Sequence, residues 1–283
     1  MRSLVALTLA AGGLLAGLLA VPGQTAAAAA TAPTAPAAEP MDQVVLVTAT
    51  PDALVASTTA AVPGVVRFAV TGAGSAVLLQ LGEGYPLERL YADYAKAIAG
   101  RKGAIRRLRQ GATFHGGMAG RAEGPGRFAV ELAAGSYQLA DLAHGHAVPF
   151  EVRDVARSRR RAPVTAGTVS YTPLAITMPR TMPRRGWMRV VNQGTQVSRM
   201  DLVLLKPGTT EAQVRAHYRS GGRLHRGRFT GTVDRTLLLS PGQRYWWQYS
   251  LAAGPVAAAS PWPRPKDGAP QSQHEMWGLT QLQ

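Results

Sequence analysis

The chain contains no cysteine. No disulfide can form, although an exported protein could use one, so stability must come from packed apolar cores. The same absence excludes a thiolate metal ligand and a lipid-modified N-terminal cysteine. Lysine is nearly missing too: of 31 basic residues only Lys96, Lys102, Lys206 and Lys266 are not arginine. With so much Ala, Gly and Pro, this bias suggests a GC-rich bacterial genome. Acids are scarce, 16 in all, which leaves a formal net charge of +15. They are also unevenly placed. From Met41 to Asp154, 11 basic residues meet 10 acids, whereas from Val164 to Gln283, 15 basic residues meet five acids. General acid–base catalysis needs paired carboxylates or a His–acid pair, so an active site is not expected in the second half. In the first half the sequence leaves that question open. There is no Gly-x-Ser-x-Gly, His-Glu-x-x-His or phosphate-binding loop. "GAGSA" from Gly72 reads as a turn between strands and opens no helix, so nucleotide binding is not expected.

What is present begins with a targeting signal. Met1-Arg2 is a short positive region, Leu4 to Val21 is apolar, and small-x-small cleavage options follow between Ala26 and Ala30. This predicts a cleaved signal peptide over residues 1–30 and a secreted, extracellular protein. Residues 31–41 are Ala/Pro/Thr-rich without a period and read as a disordered spacer. The remainder is long enough for one large domain or two small ones.

The remainder is also a repeat. "VPGVVRFAV" begins at Val62 and "MPRRGWMRVV" at Met182. "LERLYADYAKAIAG" from Leu87 aligns with "TEAQVRAHYRSGG" from Thr210, setting Tyr94 over Tyr218. "LAAG" at Leu132 recurs at Leu251. The units are expected at residues 42–154 and 165–283, joined by an Arg-rich linker at 155–164. Each reads mostly as strands. Met200, Leu202 and Leu204 alternate with Arg199 and Asp201, and "RYWWQY" places Tyr245, Trp247 and Tyr249 on one face against Trp246 and Gln248. The first face is expected in the core; the second could offer a contact platform. One helix per unit is expected: Leu87, Leu90, Tyr91, Tyr94 and Ile98 recur at 3-and-4 spacing, and in the second copy Thr209 or Thr210 caps the match. The predicted fold is all-β: two tandem antiparallel sandwiches, each with one inserted short helix.

The stretch "VVNQGTQVSRMDLVLLKPGTT" from Val190 resembles the early strand pair of small secreted bacterial cupredoxin-like (plastocyanin/azurin-like) domains. There an Asn-x-Gly turn leads to a copper-binding His, an alternating strand, Lys-Pro-Gly and a helix. The segment from Ala252 to Leu279 is similar to that family's closing segment. The resemblance implies a Greek-key sandwich and places the first His of the family at Ser198. It sets the second at His274, which keeps a His-x-x-x-Gly spacing to Gly278, the Met at Leu279, and the Cys near Ala259 or Ser260. The matching "TGAGSAVLLQL" of the first half has no His. A blue-copper site needs a thiolate, two imidazoles and a weak thioether, so no copper and no other cofactor is expected. Met276 is expected to pack or to be exposed.

Two other constellations remain. His144 and His146, with His115, would suit Cu or Zn if they converged, which is the alternative reading: a copper-handling or redox protein. The arginine clusters, Arg157, Arg159, Arg160 and Arg161 in the linker with Arg180, Arg184 and Arg185 beyond it, suit carboxylate and phosphate. Without interleaved aromatics they do not read as a nucleic-acid surface. The partners expected for an exported basic protein are anionic cell-wall or membrane-surface polymers. The sequence does not define an oligomeric state. The favoured expectation is a non-catalytic binding or structural protein.

Overall fold

The computed structural model describes residues 44–121, 124–155 and 160–283. The expected signal peptide and spacer, and Arg157 and Arg159 of the linker, lie outside the described residues. The first half carries β1 (Val44–Ala49), β2 (Leu54–Ala56), β3 (Ala60–Ala61), β4 (Gly64–Thr71), β5 (Ser75–Leu81), α1 (Leu87–Ile98), α2 (Lys102–Gly111), β6 (Ala112–Ala119), β7 (Gly126–Leu132), β8 (Gly135–Asp141) and β9 (His146–Val152). The second carries β10 (Thr168–Tyr171), β11 (Ile176–Thr177), β12 (Thr181–Met182), β13 (Arg185–Asn192), β14 (Asp201–Leu205), α3 (Glu211–Arg219), β15 (Phe229–Arg235), β16 (Arg244–Ser250), β17 (Gly254–Ala259) and β18 (Trp277–Leu282).

The repeat seen in the sequence is a repeat of strand pairing. One layer of the first half runs β2-β1-β4-β7 and its counterpart in the second runs β11-β10-β13-β16. The opposite layers run β3-β9-β8-β5-β6 and β12-β18-β17-β14-β15. Directions match as well: β1 pairs parallel with β4, as β10 does with β13, and β3 pairs parallel with β9, as β12 does with β18. Those four pairs correct the expectation of purely antiparallel sheets. The partners are not sequence neighbours, so no hairpin fixes their direction.

Helices are inserted at corresponding places, between β5 and β6 and between β14 and β15. α3 opens on a capping box: Gln213 N–H donates to Thr210 Oγ1 and Thr210 N–H to Gln213 Oε1. The expectation of one helix per half is corrected in the first half, where α2 follows α1. The arginines of "RKGAIRRLRQ" hide its apolar spacing. Ala104, Ile105 and Leu108 fall on one face and pack with Leu90, Tyr94 and Ala97 of α1. Gly100, at φ +74°, makes the break between the two helices. Arg107 Nε clasps them by donating to both carboxylate oxygens of Asp93 at 3.1 and 3.0 Å, and the Tyr85 hydroxyl donates to the same group at 2.9 Å. No helix of the described residues is long and apolar enough to cross a membrane.

The two halves are joined twice. β7 pairs with β16, Phe128 opposite Trp247, which makes one eight-stranded sheet. In the other layer the segment 236–240 runs beside β6. Gly116 N–H donates to Leu238 O at 3.1 Å, and Ser240 N–H to Phe114 O at 2.9 Å. One apolar cluster therefore contains Phe68, Phe128 and Phe150 together with Met188, Trp247, Tyr249 and Val256. The face of β16 expected to be interior is interior: Tyr245, Trp247 and Tyr249 are buried. On the other face, Trp246 is covered by Val65, Ala129 and Trp187.

Candidate functional site

Four side chains from four separate segments meet at one end of the second half. Ser198 precedes β14 and is held by Leu239, each residue's N–H donating to the other's carbonyl at 3.1 and 2.8 Å. Ser260 follows β17, Gln271 opens a short 3-10 turn, and Met276 precedes β18. All four are buried, Ser198 at 1% and Gln271 at 3% relative exposure. Gln271 Oε1 accepts from Ser260 Oγ at 2.7 Å and from Ser198 Oγ at 2.9 Å. Its Nε2 donates to Val197 O at 2.9 Å. The Met276 sulfur lies 3.8 Å from Ser198 Oγ. Met276 N–H donates to Gln271 O at 3.2 Å and Ser260 N–H to Met276 O at 3.0 Å, so the backbone of the turn is tied to the same group. Glu275 takes a left-handed conformation, φ +71°, to bring Met276 inward.

The resemblance pointed to Ser198 and to Ala259 or Ser260, and the structure brings Ser198 and Ser260 together through Gln271. It places His274 and Leu279 elsewhere. His274 Nε2 lies 3.0 Å from Asp267 Oδ2, with its side chain 40% exposed. Leu279 pairs with Ala257 in the β17–β18 ladder and packs near Trp277. Gln271 was missed because counting back from Gly278 selects the only imidazole in the loop, whereas a 3-10 turn decides which side chain points inward.

As a metal site the four residues do not fit. Two hydroxyls and a carboxamide are weak neutral donors, and the thioether alone is soft. A blue-copper site requires a thiolate and imidazoles. The polar atoms are also already committed to one another. What the arrangement does is tie the β13–β14 loop to both ends of the β17–β18 loop with a neutral, hydrogen-bonded plug.

The first half has an analogue. Asp141 ends β8 as Ser260 follows β17, each six residues after the glycine that opens its strand. The carboxylate is fully buried. It accepts from Ser75 N–H and Oγ at 3.0 and 3.2 Å and from Ala143 N–H at 3.1 Å, and lies 2.9 Å from His144 Nδ1. Burial acts to raise its pKa, but the bonds from His144, Ser75 and Ala143 outweigh it, so the carboxyl sits below its usual value.

The three histidines of the alternative reading do not converge. His144 serves Asp141, and His146 Nε2 lies 2.9 Å from Pro51 O. His115 is on β6, with β5 between it and β8, and its Nε2 lies 3.1 Å from Gln80 Oε1. Burial lowers its pKa, against a smaller opposing contribution from Gln243. Among the described residues no group of three or more His, Cys, Asp or Glu could hold a metal ion.

Of the arginines singled out, Arg161, Arg180, Arg184 and Arg185 are exposed, and none forms an ion pair among the described residues. Arg160 is half-buried and lines a groove with Val65, Glu131 and Arg244. On α3, Arg215 and Arg219 are engaged by Glu275, Arg219 at 2.7 Å.

No protein-family model and no curated protein matches the chain. Among solved structures it is similar to auracyanin B, at 16% identity, covering 42% of this chain and 91% of that one, with a TM-score of 0.26. It is similar to a multicopper oxidase at 10% identity, covering 85% and 88%, TM-score 0.26. The Cu-containing nitrite reductase of Thermus scotoductus SA-01 is similar at 9% identity, covering 85% and 61%, TM-score 0.24. Its own strand order defines an all-β-dominant β-sandwich architecture with inserted helices, and the chain lacks cysteine.

Proposed function

We propose that the chain is an exported, non-catalytic binding or structural protein. In this reading it consists of two tandem Greek-key cupredoxin-like sandwiches, free of copper, that associate with anionic wall or membrane-surface polymers. The observation that carries the reading is the plug of Ser198, Ser260, Gln271 and Met276. It joins the β13–β14 and β17–β18 loops and presents no base to activate its serine hydroxyls and no thiolate or imidazole to hold a metal. Its polar atoms are spent on one another, which suits a scaffold. The polymer part is supported by the exposed arginines without acidic partners, whose planar forks match carboxylate and phosphate.

The test is retention of the full chain on anionic vesicles or a wall-polymer matrix as salt is raised from about 0.05 to 0.5 M, over which the screening length falls severalfold. Retention is expected to fall steeply, and the variant carrying Arg180→Gln, Arg184→Gln and Arg185→Gln is expected to elute earlier. Retention that ignores both salt and these substitutions removes the polymer part of the reading.

A further inference from the structure

Above the plug lies a cleft of about 400 Å³, lined among others by Pro173, Leu174, Gln196, Arg264, Gln273 and Met276. That volume falls within the range typical of small-molecule sites. Its two walls differ in chemistry. One is the turn between β10 and β11, fixed by Thr172 N–H and Oγ1 both donating to Ala175 O at 2.9 and 3.1 Å. That turn presents Pro173 and Leu174, the latter 74% exposed. An exposed leucine on a rigid turn beside a cleft is apolar surface without a covering partner among the described residues.

The other wall carries Arg264. Its side chain is only 22% exposed, yet its guanidinium makes no hydrogen bond among the described residues. The nearest acid oxygen, Asp267 Oδ2, is 3.9 Å away and is held by His274 Nε2 at 3.0 Å. The acid that lines the cleft, Glu275, is taken by Arg219 at 2.7 Å and Arg215 at 3.4 Å. A guanidinium offers five donors in a planar fork. Here that fork is sheltered, lines a cleft, and is engaged only by a long 3.9 Å ion pair with Asp267. Gln196 and Gln273 also line the cleft.

We propose that this cleft binds a small amphipathic carboxylate, its headgroup paired with Arg264 and its apolar part laid on Pro173 and Leu174. Arg264 supplies the bidentate match and charge, and Leu174 supplies the apolar contact that makes the ligand amphipathic instead of a simple salt. The site is separate from the exposed arginines of the polymer reading, and its test does not depend on that reading.

The test uses the full chain and octanoate, with octanol and octylamine as probes of the same tail and different headgroup, followed by side-chain amide NMR. Octanoate is expected to shift the Gln196 and Gln273 amide signals in a saturable way, at least tenfold more tightly than octanol, with no effect from octylamine. Arg264→Gln is expected to weaken octanoate binding about tenfold or more while leaving octanol unchanged. Leu174→Asp, at an exposed position that folding does not depend on, is expected to abolish octanoate binding, and it stands as the test should Arg264→Gln fail to fold. Equal affinity for octanoate and octanol, shifts confined to other parts of the chain, or no saturable shift up to about 10 mM octanoate overturns the proposal.

Discussion

The hydroxyl of Ser260 donates to the carboxamide oxygen of Gln271 across 2.7 Å, and the hydroxyl of Ser198 donates to that same oxygen. One neutral side chain thus satisfies two buried serines at the point where β17, the loop before β14 and the last turn of the chain meet. A buried donor left without an acceptor costs about 1–3 kcal/mol, so this oxygen is the atom on which the end of the second half depends.

Gln271→Ala should therefore destabilise the protein by about 2–4 kcal/mol, because it strands both hydroxyls and the Val197 carbonyl. His274→Ala should cost under about 0.5 kcal/mol, because its pair with Asp267 is largely exposed. Urea unfolding of the two variants compares them directly. A larger loss for His274→Ala would show that the wrong residue of the loop is placed at the centre.

The same geometry predicts how a metal could be introduced. The triple variant Ser198→His, Ser260→Cys, Gln271→His keeps Met276 and supplies a thiolate, two imidazoles and a thioether. It should take up Cu(II) with an intense visible thiolate-to-copper absorption. Ser198→His with Ser260→Cys alone, relying on His274, should not. Colour in the double variant would mean that His274 reaches the site.

Two buried carboxyls should give opposite pH signatures. Asp141 has a lowered folded pKa, so its contribution is present above the unfolded carboxylate value and is lost as pH falls through the folded one. Asp141→Asn should be clearly less stable than the wild type at pH 7, with the gap closing toward pH 3. Asp234 pairs with Arg121 across the two halves, but burial dominates and pushes its carboxyl up to about 6. Its contribution is present below the unfolded value near 4 and is lost as pH rises through about 6. Asp234→Asn should flatten the stability profile between about pH 4 and 7. Thermal midpoints across pH separate the two effects, and parallel profiles for both variants would contradict them.

The halves should unfold as one. Their shared core and the β7–β16 pairing leave neither with a complete interior. Tryptophan fluorescence and circular dichroism should therefore give coincident transitions. Gly116 tests the contact between them, because it takes φ +96° and a Cβ there would stand 2.6 Å from the ring of Tyr245. Gly116→Ala should destabilise both halves together by more than about 1 kcal/mol. Two separate transitions would mean that the joined sheet is not what holds them.

Alternation and turn chemistry made the strands legible. The inward face of "RYWWQY" and the Thr210 cap could be read directly because each is a local pattern. α2 was not legible, because in "RKGAIRRLRQ" the arginines dominate the composition while only Ala104, Ile105 and Leu108 are buried. The segment 236–240 could not be foreseen as the strip between Ser198 and His115. Its pairing partners lie about 40 and 120 residues away in the chain, and no local signal encodes a register of that range.

The sequence by itself determined the chemistry that is out of reach. Without cysteine there is no thiolate and no disulfide, and with five acids in its second half there is little general-acid or general-base chemistry to assemble there. It determined the duplication too, because recurring apolar spacing imposes recurring strands. Only the tertiary structure decided that Gln271, not His274, turns inward, that the three histidines stay apart, and that both halves share a core. Inward and outward within a turn are set by backbone dihedrals and by which buried donors need an acceptor, and those are known only once distant segments have been brought into contact.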